Sequence, residues 1–393
     1  MQKSLKRASL RGKRRAKPSE HLLKGPSSPL YSSMHMRLGE ALRVTLRGSS
    51  HGPFVGALIE GMPAGLAVDE TSVSAAMALR KTGGTYSSKR KEDDTVEWRT
   101  GVSNGRTTGE AIEIHIANSD VRSSDYSFLP DHPRPGHQDM VMMKRTGGEA
   151  DLRGGGTSSA RMTAPLVAAA AVVGGWLKEH GVHVEAQLGA VGEVEAAPMS
   201  ECPPRWANET CRELRCRDPE AAERMAALID QTRRQRNSIG SRVDLDITGL
   251  PLGLGEPWFD GIEPAMARAM MSIPAARGVE FGHGFAVQTM HGSDHNSPWG
   301  GTAEHPVLLG ERPDGALAGL STGSPVSIRV AFKPPSSIPQ SQTTLNVKTN
   351  QQEPLLVKGR HDPVLGPRAV AVVEAMALLV AGDLMIRGGF VDE

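Results

Sequence analysis

Three stretches alternate polar and apolar residues with a period of two: EAIEIHIA at 110–117, VDLDITG at 243–249 and VSIRVAF at 326–332. A strand patterned that way buries one face and wets the other, which is the habit of antiparallel sheet. Helical stretches lie between these strands. In DPEAAERMAALIDQTRRQ, residues 218–235, Asp218 stands as N-cap and Pro219 takes the first helical position. Strands and helices mix without a regular βαβ beat, so the expected fold class is α+β rather than a doubly wound nucleotide-binding sheet. Only 4% of residues are aromatic while glycine and alanine abound, which predicts a core of closely packed small aliphatics.

The longest unbroken apolar run, APLVAAAAVVGGWL from Ala164 to Leu177, has 14 residues. A bilayer span needs about 20, so this segment reads as a buried helix. A second run, Ala369 to Ile386, carries Glu374 and Asp383, which suit a protein core far better than hydrocarbon. No membrane segment is expected. Net charge is +1, so no global field recruits nucleic acid. The three cysteines, Cys202, Cys211 and Cys216, form neither a disulfide framework nor a metal-binding pair, which points to a reducing cytoplasm and to no metal.

Residues 1–33 differ from the rest: nine Lys or Arg, one Glu, several Ser and Pro, and no apolar periodicity. They read as a disordered basic extension, resembling a transit peptide or lying upstream of a start near Met34 or Met36. A nucleic-acid-binding role for this tail is opposed by the near-neutral body and the lack of an aromatic-rich binding motif. Residues 34–393 read as one domain, with no internal repeat. The Gly-, Pro- and His-rich stretch 292–315 reads as a site-forming insertion.

Chemistry concentrates in short loops. RGGGTSSAR, residues 153–161, sets three glycines and three hydroxyls between two arginines, a loop that can approach an anion closely or can simply be a turn. GSSHG places Ser50 and His51 between glycines after a β-like run, and RPGH presents Arg134 and His137 on one turn. KPPSSI follows a strand with Lys333 and two hydroxyls, and KGRHDP packs Lys358, Arg360, His361 and Asp362 before an apolar helix. Each of these loops has an ordinary reading as a surface turn or solvated charge run. Together, Arg80, Arg134, Arg153, Arg161, Lys333 and Arg360 would overpopulate a neutral pocket, so the ligand should carry more than one anionic group. Two imidazoles and one carboxylate suit proton transfer near neutral pH. The residues alone stop at an acid–base enzyme acting on phosphorylated ligands.

These same loops, in this order, resemble the signatures of the chorismate synthase family. The similarity runs from about Met36 to Ile386 and includes GVSNGRTTGEAIEIHIANSDVRSSDY (101–126), GLPLGLGEPWFDGIEPAMARAMMSIPAARGVEFGHGF (249–285), GSDHN (292–296), AGLSTGSP (318–325) and RHDPVLGPRAVAVVEAM (360–376). It implies a sandwich of antiparallel sheets and helices assembling as a homotetramer. It also implies a lyase that converts 5-enolpyruvylshikimate 3-phosphate to chorismate and phosphate, by anti-1,4-elimination with reduced FMN, in aromatic amino acid biosynthesis. NADPH would enter only as a reductant of the flavin. By motif, His51 with Ser50 would act on the leaving phosphate, and His137 on the flavin near N1 and O2. Asp362 would assist proton removal, and Ser158 would support the flavin and its proton relay. Arg80, Arg134, Ser159, Arg161 and Arg360 would hold the substrate. The flavin would lie against Thr157, Ser158, Ser159, Pro274, Ala275, Ala318, Lys333, Pro334, Pro335, Ser336, Ser337 and Arg360.

The chain departs from the family pattern at several of these loops. Ser49 replaces an acid, Thr157 an arginine, Pro335 a threonine and Met162 a glutamate, and GERPDGALAG departs from the usual Asn-x-Ala-Gly-Gly. A second arginine of the family falls near Thr85 or Tyr86, where Lys89 or Arg90 would have to compensate. A lost charged hydrogen bond costs about 1.5–3 kcal/mol, or one to two orders of magnitude in binding. No proposed catalytic group is lost. The reading is therefore an active, divergent enzyme, with a flavin-binding homologue of lost or altered activity as the alternative.

Overall fold

The computed structural model describes residues 36–81, 84–87, 93–119, 123–204, 206–359 and 361–390. The extension 1–33, Lys89, Arg90 and Arg360 lie outside the described residues. The first half builds an antiparallel sheet from β1 (Arg37–Leu38), β2 (Arg43–Gly48), β3 (Phe54–Glu60), β4 (Glu97–Thr100) and β5 (Ile112–Ala117), in the order β1-β2-β3-β5-β4. The second half builds another from β6 (His183–Val191), β7 (Val194–Glu195), β8 (Ser241–Thr248), β9 (Ala276–Phe281) and β10 (Val326–Phe332), in the order β9-β10-β8-β6-β7. The period-two stretches fold as their pattern dictates. Ile112, Ile114 and Ile116 of β5, Val243, Leu245 and Ile247 of β8, and Val326, Ile328, Val330 and Phe332 of β10 are buried, while the residues between them are not.

Helices α1 (Glu70–Arg80), α2 (Asp139–Thr146), α3 (Thr163–Glu179), α4 (Pro219–Arg234), α5 (Ile262–Ser272) and α6 (Gly366–Arg387) complete the framework. Asp218 caps α4 by accepting from Ala221 N, with Pro219 opening the helix. Helix α3 packs on β3 and β5, α6 packs on β6 and β8, and the two helices pack on each other. The order through the molecule is therefore sheet, helix, helix, sheet. By length and composition α6 could cross a membrane, as could the segment Arg153–Glu179 that runs from the glycine loop through α3, and both are mostly buried within the molecule. A helix that is apolar on every side needs apolar neighbours on every side, and the sandwich supplies them. Close approach requires small residues: a Cβ on Gly382 of α6 would lie 2.8 Å from Val173 Cγ1 of α3 and 3.0 Å from Leu42 Cδ2.

The two acids in α6 have internal partners. Asp383 Oδ1 accepts the backbone N–H groups of Glu40, Ala41 and Leu42 at 2.7–2.9 Å, pinning the β1–β2 turn to the end of the helix. Glu374 accepts from Ala186 N of β6 at 3.0 Å, yet burial pushes its carboxyl up to about 7. A group whose folded-state pKa exceeds its unfolded one binds the extra proton in the native state, so its contribution to stability falls as pH rises from about 4.5 to about 7. That shift corresponds to at most about 3 kcal/mol. Glu374→Gln keeps an acceptor for Ala186 N and removes the titration. Urea unfolding at pH 5 and pH 8 should therefore show a flatter pH dependence in the variant, which gains on the wild type at the higher pH.

The 292–315 stretch does not form part of the cluster of site loops. Trp299–Gly301 and Pro306–Leu308 pair with each other as a separate hairpin. Asp314 lies against Gly282 and accepts from Thr322 Oγ1, which places the segment where β9 ends and β10 begins, the far end from Lys333. Short strands that satisfy one another's backbone groups have no need of the main sheets.

Candidate active site

The paired register brings the chemistry-bearing loops to one end of the sandwich. Phe54 pairs with Ala117, so the turn holding Ser50 and His51 neighbours Asn118. In the second sheet Phe332 pairs with Ala276 and with Ser241, so Lys333 neighbours Ala275, whose carbonyl accepts from Lys333 N at 3.0 Å. RGGGTSSAR leads directly into α3, and Asp362 precedes α6. Both helix N-termini point their partial positive charge at this end, which favours anionic ligands.

The glycine loop is the hub. Gly154, Gly155 and Gly156 have φ of +58°, +89° and +54°, left-handed values that glycine adopts without penalty. A Cβ on Gly154 would lie 2.3 Å from His51 Cε1, and one on Gly155 would lie 3.9 Å from His137 Cε1. The two imidazoles thus face successive glycines. Ser50 N donates to Gly156 O, Ser50 Oγ lies 3.3 Å from His51 Nδ1, and Gln138 Nε2 donates to Gly155 O at 2.6 Å. Ser158 is exposed, while Thr157 and Ser159 are partly buried. Ser159 Oγ also accepts from Arg161 N. Tyr126 meets His51 edge-on with ring centroids 5.2 Å apart, and the Arg134 guanidinium lies 5.5 Å above the same ring.

The arginines are held by partners that sequence reasoning passed over. Arg134 closes on Asp139 with Nε at 2.8 Å and Nη2 at 2.7 Å, and its backbone N–H donates to the same carboxylate. His137 Nδ1 donates to Asp139 Oδ1 at 2.7 Å, which leaves Nε2 for a ligand. Burial works against ionisation of Asp139, but the hydrogen bonds from Arg134 and His137 prevail and hold its carboxyl far below the usual range. Asp94 receives Arg80 Nη1 at 3.0 Å and Arg161 Nη1. Arg161 also donates to Asn118 Oδ1 and Ala117 O. A carboxylate two residues beyond His137 was a visible signal for Asp139. Asp94 sits in the charged run KRKEDD, which gives none.

Arg80, Ala160, Thr163, Pro274, Phe332 and Arg368 line one cleft. Asp362 joins it through Arg368, which binds Asp362 Oδ2 at 2.7 Å and donates to Arg80 O. Ala318 is elsewhere: Gly319 O accepts from Ile262 N at the start of α5, whereas Pro274 follows the end of that helix. Ser49, in place of the family's acid, accepts from Gly52 N with its hydroxyl. At the position of the family's second arginine, Thr85 O accepts from Arg233 Nη2, and Tyr86 packs partly buried against the core.

The residues fit the reduced FMN that the resemblance implies. Lys333 Nζ donates to Gly136 O at 2.6 Å and Ser336 Oγ at 3.1 Å, both neutral oxygens, and Ser336 Oγ donates to Gly136 O. Burial, with the nearby Arg277 charge, lowers the Lys333 pKa. A partly buried ammonium without a carboxylate partner among the described residues suits the phosphate or reduced ring of a flavin.

The sequence model of the family described as chorismate synthase matches residues 42–386. A chorismate synthase of Aeropyrum pernix is 45% identical over 353 residues, covering 89% of this chain and 92% of that protein. One from Methanosarcina barkeri is 39% identical, covering 90% of this chain and 97% of its own. A solved structure, "Crystal Structure of Chorismate Synthase", superposes with a TM-score of 0.66 at 26% identity, over 89% of this chain and 93% of that one.

Proposed function

The chain belongs to the chorismate synthase family, and from that premise we propose how its own residues carry the conversion of 5-enolpyruvylshikimate 3-phosphate to chorismate and phosphate. The observation that supports it most is the pair His51 and His137 on successive glycines of one loop, at the end of the molecule where two helix N-termini and buried arginines converge. Arg80, Arg134, Arg161 and Arg360, with Ser159, bind the substrate's anionic groups. His51, steadied by Ser50 at Nδ1, gives its proton to the departing phosphate. His137, anchored at Nδ1 by Asp139, leaves Nε2 to hold the flavin's N1 and O2 edge. Asp362, held by Arg368, assists removal of the ring proton. Thr157, Ser158, Ser159, Pro274, Ala275 and Lys333 to Ser337 hold the cofactor.

Reduced FMN, when bound, supplies an electron-rich ring that eases loss of the allylic phosphate and accepts the ring hydrogen. NADPH serves only as its reductant. Exposed Trp258 (81%), Phe259 (88%) and Phe285 (76%) support self-association, which the family resemblance gives as a homotetramer. Three free cysteines suit a reducing cytoplasm. We read residues 34–393 as one catalytic domain, supported by a buried core that runs through both sheets.

Anaerobic chorismate formation with reduced FMN tests the roles of the imidazoles. His51→Ala and His137→Ala should each turn over about 100-fold more slowly than wild type. Full activity in both would refute the assignment.

A further inference from the structure

Asp94 stands where a ligand would. Its two carboxylate oxygens are divided between Arg80 Nη1 and Arg161 Nη1, one oxygen to each guanidinium. That is the arrangement a substrate anion would need in order to use both arginines. The carboxylate is only 1% exposed and the two arginines 3% and 4%. It is nevertheless borne on an irregular segment: residues 93–96 belong to no helix or strand, and Asp93 and Thr95 on either side are exposed. Its φ of +54° is left-handed, a region that few residues with a Cβ adopt and that aspartate is among those to tolerate. Room exists on both sides. Arg80 lines the cleft that Ala160, Pro274 and Phe332 share, and Asp94 lines a separate cavity of about 300 Å³ with Met77, Lys81 and Trp98.

We propose that Asp94 is a resident counter-anion of the substrate pocket: it fills the Arg80–Arg161 fork in the free protein and swings outward when an anionic oxygen group of the substrate takes its place. The proposal rests on the reading of Arg80 and Arg161 as substrate ligands. The incoming group is a carboxylate or a phosphate, since either offers two oxygens to two guanidinium groups. Binding then exchanges one anion for another, so the apparent affinity is lowered by the fraction of protein in which Asp94 still occupies the fork. A ligand with too weak a charge does not displace it. Selectivity for strongly anionic substrates follows without any added contact.

Asp94→Asn keeps the shape and removes the competing charge. Titration of the full-length variant with inorganic phosphate in one arm and acetate in the other should show, for the group that uses the fork, an affinity about 10-fold or more above wild type. The arm that responds identifies the group, and KM for 5-enolpyruvylshikimate 3-phosphate should fall alongside. Unchanged or weaker binding in both arms overturns the proposal, because a merely structural carboxylate would leave the arginines worse placed. Wild-type protein gives a second reading should the variant fail to fold. Amide hydrogen exchange at residues 93–96 should quicken with saturating phosphate or acetate, and unchanged or slower exchange with both probes overturns the idea. Neither measurement depends on turnover. Wild type that binds anions as expected but forms no chorismate would sink the lyase roles and leave the displacement standing.

Discussion

Asp139→Ala should lower kcat/KM by about 10²–10³-fold and the unfolding free energy by about 3–5 kcal/mol. The carboxylate is fully buried and receives four hydrogen bonds: three from the backbone and guanidinium of Arg134 and one from His137 Nδ1. Its removal leaves a guanidinium in the interior without its counter-charge, the change that makes breaking a buried pair so much worse than never having built it. It also frees the His137 ring to rotate, so Nε2 no longer has one direction. Two groups at the site lose their orientation at once, and misplacement by about an ångström is enough for a 10²-fold loss. The dependence on pH has a definite sign. Hydrogen bonds from Arg134 and His137, prevailing over burial, hold the Asp139 pKa well below its unfolded value. The stability it contributes is therefore fully present above the ordinary carboxylate range and is lost only as pH falls into strong acid. The stability gap between wild type and variant should thus narrow as pH falls below the ordinary carboxylate range. Urea unfolding measures that gap, and anaerobic turnover measures the rest. A variant that unfolds early but keeps its kcat would make Asp139 scaffolding rather than a positioning residue.

What the sequence disclosed and what it hid divide along physical lines. Period-two alternation is enforced locally by the pleat, so the stretches carrying Ile112–Ile116, Val243–Ile247 and Val326–Phe332 could be read as half-buried strands before any neighbour was known. The glycine loop and the two histidines could each pass for a surface turn, and what marked them as a site was their collinear order with the other loops. Hydropathy announced that α3 and α6 were buried. It could not say that they lie against each other between two sheets, because a helix apolar on all sides carries no directional mark. Asp139 stands in the first turn of α2, where an acid also suits the helix dipole, so its place two residues beyond His137 carries two meanings. Asp94 lay in a charge-rich run that reads as solvated surface. Ala318 and the 292–315 stretch show the limit of motif order: collinear segments reach opposite ends of β10, and only the strand register decides which end.

Gly154→Ala should abolish most turnover, by about 100-fold or more, while the same change at another glycine of positive φ does not. At Gly154 φ is +58°, and the new Cβ would meet His51 at 2.3 Å from Cε1 and 2.6 Å from Nδ1, with Ser50 Oγ at 3.1 Å. No real side chain tolerates the first two contacts, so either the imidazole or the loop must move, and both lie in the proposed proton path. The backbone term alone is modest, about 1–2 kcal/mol for a non-glycine residue in the left-handed region. Gly148 isolates that term: its φ is +92° and a Cβ there would find nothing within 4 Å. Gly148→Ala should therefore unfold at lower urea yet form chorismate at the wild-type rate. The contrast assigns the loss in Gly154→Ala to contact with His51 rather than to backbone strain. Its kinetic form follows as well: displacement of the proton donor lowers kcat more than it raises KM, because the arginines that bind the substrate are untouched. Should both variants keep wild-type kcat, the close seat of His51 on the glycine loop would have no part in the chemistry.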